Sequence, residues 1–172
     1  MNTPPMNLRT VPSSVPSWVG LLLWLALCAG VAALGAIASI DAKDFYSRLE
    51  QPSWAPPAAV FGPVWTLLYA CMGVAAWLVW RERGWARARG ALGLFLLQLA
   101  LNALWSWLFF AWHRGGLALA DIAAMWVLIL ATLIGFARVR KLAGWLLVPY
   151  LAWVSFAAAL NYSVWMRNPQ LL

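Results

Sequence analysis

Charge is scarce in this sequence. Only 10% of the 172 residues are Asp, Glu, Lys or Arg, and 65% are apolar, whereas a soluble domain averages about 25% charged and about 45–50% apolar. Too little polar surface remains for a water-soluble globule. Acidic residues number just five, and only Asp121 falls inside a long apolar run. Hydrolysis or acyl transfer needs a nucleophile with its base or a matched acid–base pair, and the runs hold neither. The single histidine, His113, stands at a run's end beside Arg114, so no metal site is expected. The two cysteines, Cys28 and Cys71, lie in mid-run and read as small packing residues rather than a disulfide. Strict apolar–polar alternation, the mark of a membrane β-barrel, is missing too. A net charge of +7 would suit nucleic acid only if a soluble face carried it, and there is none.

What the chain has instead is five continuous apolar runs: Trp18–Ile40, Ala58–Trp80, Gly90–Trp112, Leu117–Ala137 and Leu142–Met166. Each reaches the roughly 20 residues that an α-helix needs to cross the hydrocarbon core. The expected fold is an all-α membrane protein, a five-transmembrane-helix bundle over residues 18–168, behind a disordered proline-rich tail, 1–17. Ala36-Ile37-Ala38 resembles a signal-peptidase site, but this run is longer than the roughly 7–15 apolar residues of a secretory leader and is read as a span. Arg81, Arg83, Arg87 and Arg89 fill one connection, and Arg138, Arg140 and Lys141 another. With five spans these share a side with Arg9; the other side has Lys43, Arg48, Arg114 and Arg167. The positive-inside rule puts the more basic side in the cytoplasm.

The longest connection, 41–57, reads DAKDFYSRLEQPSWAPP. Phe45, Tyr46, Leu49 and Trp54 interleave with its charges as on a short amphipathic helix, followed by a proline-stiffened extended piece. Such a loop serves as a lid over a binding site or as an anchor on the headgroups; the lid is favoured.

Fourteen tryptophans are present. Trp18, Trp80, Trp85, Trp112, Trp145 and Trp165 fall at span ends and fit an aromatic belt, but Trp105, Trp107, Trp126 and Trp153 lie deeper, where each indole N–H needs a partner. Helical spacing puts Gln98, Asn102, Trp105 and Ser106 on one face of the third span. It does the same for Tyr150, Trp153, Ala157 and Asn161 on the fifth, and for Phe61, Trp65 and Tyr69 on the second. Polar side chains in lipid turn inward, so three spans aim aromatic and amide faces at the interior. Periodicity alone leaves open whether these faces satisfy one another in a packed core or surround a ligand. Pro63 and Pro149 lie near the stripes and would loosen the helices there. Asp121 is read as structural, held by the helix dipole and Arg114.

The stretches FYSRLEQPSWAPP (45–57), FGPVWTLLYACMG (61–73), QLALNALWSWLFF (98–110), GLALADIAAM (116–125) and PYLAWVSFAAALNYSVW (149–165) resemble the translocator protein family. Its members are also called tryptophan-rich sensory proteins or peripheral benzodiazepine receptors. The likeness covers about residues 20–168. It implies a five-helix bundle, commonly a homodimer, that binds tetrapyrroles such as protoporphyrin IX and haem, and also sterols and synthetic isoquinoline or benzodiazepine ligands. The implied binding residues are Tyr46, Pro56, Phe61, Trp65, Tyr69, Asn102, Trp105, Ser106, Trp153 and Ala157. Leu160, Tyr162 and Arg167 resemble the sterol-contact pattern of the last helix. Many animal members carry a histidine in the first loop, where this chain has Ala55 and Ala58; a porphyrin would be held by stacking on Trp65 and Trp153 and by hydrogen bonds from Asn102. No cofactor is required, with porphyrin or haem as ligand.

The leading expectation is therefore an integral, multi-pass receptor or sensor for tetrapyrroles, with transport as an added role. The other reading is a light- and oxygen-dependent porphyrin-degrading enzyme using Trp65 and Trp153; binding is favoured over catalysis. The expected partners are tetrapyrrole and sterol-like molecules, the lipid bilayer and a second copy of the chain, not nucleic acid. A bacterial membrane is the favoured location, the mitochondrial outer membrane the other. Small residues for a homodimer face are Gly90, Gly93, Ala100 and Ala103 on the third span, with Ala29, Ala33 and Ala36 on the first.

Overall fold

Residues 16–172 are described by a computed structural model, and every regular element among them is helical. These are α1 (Ser17–Ala38), α2 (Ala42–Arg48), α3 (Phe61–Ser106), α4 (Gly115–Val139), α5 (Lys141–Trp145) and α6 (Val148–Arg167). The tail expected at 1–17 lies outside the described residues but for Pro16 and Ser17, and Ser17 already opens α1.

The connection expected at 81–89 is not an open loop. Two helices meet there with no intervening loop, and the chain reverses at one residue, Gly84, with φ 64° and ψ 173°. That conformation is essentially glycine-only, while the flanking Arg, Glu, Trp and Ala are content in a helix. The reversal is visible in the contacts. Tyr69 bonds Asn102, 33 residues on, a separation of about 50 Å along a straight helix, and Gln98 reaches the Met72 sulfur at 4.0 Å. Residues at comparable distances before and after Gly84 thus face each other, and α3 is a helical hairpin whose two limbs each cross the membrane. With α1, α4 and the α5–α6 unit the chain has five spans.

The last span is also interrupted. Continuing α5 into α6 would drive the Pro149 ring against the carbonyl of residue 145; the helix turns at 146–147 and restarts with Pro149 in the first turn of α6. Pro63 likewise falls in the first turn of α3, directly after a 3-10 turn, Ala58–Val60. Both prolines shape helix starts, where a backbone N–H has no partner in the helix. Neither opens a mid-span gap, as had been expected of them.

The second limb of α3 is the hub of the bundle. Phe95 on it meets Trp24 of α1 and stacks on Phe136 of α4, and its Gln98 and Asn102 bond Tyr150 of α6. α1 crosses the first limb where Gly73 faces Leu25; a Cβ there would stand 3.2 Å from the Leu25 Cα, so the missing side chain lets the two helices approach closely. Arg140 pairs with Glu82 at 3.6 Å, which brings the two basic connections to one end of the bundle. The first loop, His113 and the end of α6 gather at the other.

Candidate functional site

The interior stripes divide their work. Part of each is a satisfied polar core: Asn102 accepts from the Tyr69 hydroxyl and donates to the Tyr150 oxygen at 2.8 Å, and Tyr150 donates to Gln98 at 2.7 Å. Below them Trp105 donates to Asn161 at 3.1 Å, and Asn161 donates to the Gly115 carbonyl at 3.0 Å. Gln98, Asn102 and Asn161 are all buried. Asn102 therefore spends on Tyr69 and Tyr150 the donor and acceptor expected to serve a ligand.

Flanking that core is a cavity of about 710 Å³, within the roughly 300–1,000 Å³ of small-molecule sites. Phe61, Trp65, Tyr69, Trp105, Phe110 and Trp153 give it aromatic walls. Nine of the ten residues expected at the site line it: Tyr46, Phe61, Trp65, Tyr69, Asn102, Trp105, Ser106, Trp153 and Ala157. Pro56 does not. Ala58, two residues on at the start of the 3-10 turn, does. The sterol-pattern residues are not brought together. Leu160 is buried under the first loop, Tyr162 faces outward two positions on, and Arg167 pairs with Glu50 at 3.2 Å.

The sequence reading missed the wall that α1 supplies. Leu25, Cys28, Ala29, Ala32, Gly35, Ala36 and Ser39 complete the enclosure, so Cys28, Ala29 and Ala36 are cavity residues, not only packing or dimer residues. The signal was there: small residues recur at helical spacing from 28 to 39, and a face of small side chains leaves room for something else. Exposed residues among the lining (Ala29, Ala36, Gly62, Thr66 and Ala70) show that the cavity opens sideways between α1 and the first limb of α3, at the depth of lipid.

The first loop covers the end of the cavity as a lid. Phe45, Tyr46 and Leu49 are buried; Phe45 stacks on His113 at 4.1 Å, and Tyr46 meets Phe61 edge to face, which meets Trp153 in the same way. Asn168 clamps the loop, its Oδ1 accepting from the Glu50 N–H at 2.8 Å and its Nδ2 donating to the Glu50 carbonyl at 3.0 Å. A π-helical turn, Trp107–Ala111, ends the second limb beneath it. The wider turn presents Phe109 to Trp105 and Phe45 while Phe110 reaches the cavity.

Two wall residues keep a buried donor without a partner, the Tyr46 hydroxyl and the Trp153 indole N–H. Burial raises the Tyr46 hydroxyl above its ordinary value of 10.0, so at neutral pH it remains a protonated donor. Asp121 is buried, but its Oδ2 has no partner. Among the described residues the ion pairs are Arg140–Glu82 and Arg167–Glu50, so the expected pairing of Asp121 with Arg114 is not formed.

Several belt assignments change. Trp18, Trp85, Trp112 and Trp145 are exposed, as an interfacial belt requires. Trp80 instead packs on Gly20, and Trp165 on Gly115 and Gly116, where a missing side chain admits the indole.

A family model described as the TspO/MBR family matches residues 9–166. The chain is 43% identical to the tryptophan-rich protein TspO of Chlorobaculum tepidum over 155 residues, 86% of this chain and 98% of that one. It is 44% identical to the human translocator protein over 126 residues, 72% of this chain and 75% of the other. With the tryptophan-rich sensory protein of Cereibacter sphaeroides it shares 38% identity over 151 residues, 88% and 92% of the two chains.

Proposed function

The chain belongs to the TspO/MBR family, and from that premise we propose that it is a membrane receptor or sensor that binds a flat tetrapyrrole, such as protoporphyrin IX or haem, in the cavity under the first loop. One observation carries the reading: a ligand-sized cavity with seven aromatic side chains, indole, phenol and phenyl, set around it. A flat apolar macrocycle gains most in such a site, since dispersion and stacking grow with contact area. The unpartnered donors of Tyr46 and Trp153 support it further. A buried polar group left alone costs about 1–3 kcal/mol, and an occupant with acceptors at its edge would remove that cost. The sideways opening suits a ligand that arrives dissolved in lipid. Leu160, Tyr162 and Arg167 do not form one surface, so the reading assigns a sterol to this same cavity.

The test is titration of protoporphyrin IX into the detergent-solubilised protein, followed by tryptophan quenching. Trp65→Leu and Trp153→Leu each remove a stacking partner worth on the order of 1 kcal/mol beyond its area, so each should weaken binding about fivefold or more. Trp145→Leu, at an exposed position, should bind normally. Equal losses in all three variants, with reduced helicity by circular dichroism, would mean general destabilisation; unchanged binding in the first two would put the ligand elsewhere.

The alternative, light- and oxygen-dependent degradation of the pigment, has its own observation. Trp65 lies 5.6 Å from the Tyr69 ring and 6.1 Å from that of Tyr150, so an oxidised indole there has phenols close by to share the charge. Holding the mixture dark and then lighting it separates the two. Stable pigment means binding alone; new absorbing products that vanish with Trp65→Leu mean catalysis. The reading also takes the chain to act as a homodimer, through the outer face of the second limb of α3.

A further inference from the structure

The cavity wall carries one formal charge. Of its lining residues only Lys43, on the loop helix α2, is of a charged type; the remainder are apolar, aromatic, hydroxyl, amide or thiol. Asp41 and Asp44 flank it in the sequence, yet neither comes within ion-pair distance, and the pairs formed among the described residues involve Arg140 and Arg167 instead. Lys43 is exposed and lines the cavity at its rim. One helical turn further on stands Tyr46, whose hydroxyl is the unpartnered donor already described. A lysine ammonium and a protonated phenol three residues apart on one helix face place two donors at the lid end of a largely apolar cavity.

We propose that Lys43 selects ligands with an anionic edge: the cavity takes an apolar body whose carboxylate is held at the rim by Lys43, so that the acid end stays at the lid and the apolar end points towards Cys28 and Tyr69. The inference rests on the tetrapyrrole reading above and deepens it by fixing orientation and selectivity. A carboxylate could not follow the ring inward, because beyond the rim no cation compensates its loss of water. Lysine suits the place, as its flexible stem can follow the ligand while its charge remains hydrated.

The experiment compares protoporphyrin IX, a diacid, with its dimethyl ester, in the full-length protein and three variants: Lys43→Gln, Lys43→Arg and Arg48→Gln. Arg48 lies on the same helix but does not line the cavity, so Arg48→Gln controls for net charge. An ion pair at an exposed rim is worth about 0.2–1 kcal/mol, which is roughly a 1.5- to fivefold change in affinity. Lys43→Gln is expected to weaken the diacid by that factor and leave the ester unchanged; Lys43→Arg and Arg48→Gln should keep the wild-type ratio. Because the readout is the change in the acid-to-ester ratio between proteins, the ester's greater partition into detergent cancels. An unchanged ratio in Lys43→Gln, or an equal change in Arg48→Gln, overturns the role of Lys43 while leaving tetrapyrrole binding in place. If neither pigment binds the wild-type protein, the parent reading falls, and this one with it.

Discussion

Asn168 and Arg167 both hold the first loop, and their settings differ. Asn168 is buried and makes three hydrogen bonds, two of them to the Glu50 backbone and one to the Val164 carbonyl. Removing it deprives the part-buried Glu50 N–H and carbonyl of their side-chain partner, at about 1 kcal/mol for each bond. Arg167 and Glu50 form their pair in the open, where such pairs contribute about 0–1 kcal/mol. Asn168→Ala should therefore release the loop, seen as faster hydrogen exchange and protease cleavage within 41–57 and as weaker pigment binding. Arg167→Ala should change each of these little. If the two behave alike, the clamp is not the buried amide. Residue identity alone allowed much of the site to be read, since tryptophans and amides at helical spacing are costly in lipid unless they face inward. Residue identity could not reveal that Asn102 already has both its partners, because these come from the other limb of α3 and from α6.

The helical hairpin of α3 shows what a single element leaves undecided. Its apolar runs and their basic connection are legible by composition, and so is the fact of two crossings. Where the chain reverses is a matter of backbone angles, and only Gly84 takes a positive φ there. Gly84→Ala has ample space but must hold a glycine-only conformation, a strain of about 1–3 kcal/mol. It should lower the unfolding midpoint in a denaturing-detergent titration followed by circular dichroism. Gly30→Ala, equally uncrowded and inside an ordinary helix, should be neutral or slightly stabilising. Equal effects would mean that the turn tolerates other geometries. The helix starts at Pro63 and Pro149 teach the same lesson in reverse: proline announces a disturbance, and its position within the turn decides whether that is a kink or a beginning.

For the whole molecule, the proposed dimer offers a test of how copies meet. Around Gly90 and Gly93 an added Cβ would touch nothing, and Gly90 and Ala100 are exposed, so close approach by a second chain is sterically open on that face. Gly93→Leu should reduce crosslinked dimer in membranes; an unchanged yield would move the interface elsewhere. Ala29 and Ala36 belong to the cavity and are poorer choices for a dimer contact.

Much of this protein follows from the sequence without coordinates. Apolar run length sets the five crossings, because backbone polar groups in lipid must bond within a helix. Charge scarcity within the runs makes an interior of aromatic and amide groups the only place for polar chemistry. The tertiary structure decided how that interior is divided. Spacing along one helix shows which side chains share a face, but whether two faces close on each other or stand apart depends on how near the helices approach. That distance is set by small residues: Gly73 lets α1 touch the first limb of α3 at Leu25, and further along α1 its alanines leave the gap that Trp65, Trp105 and Trp153 border. A cavity is the space between elements, so no single segment of the sequence encodes it.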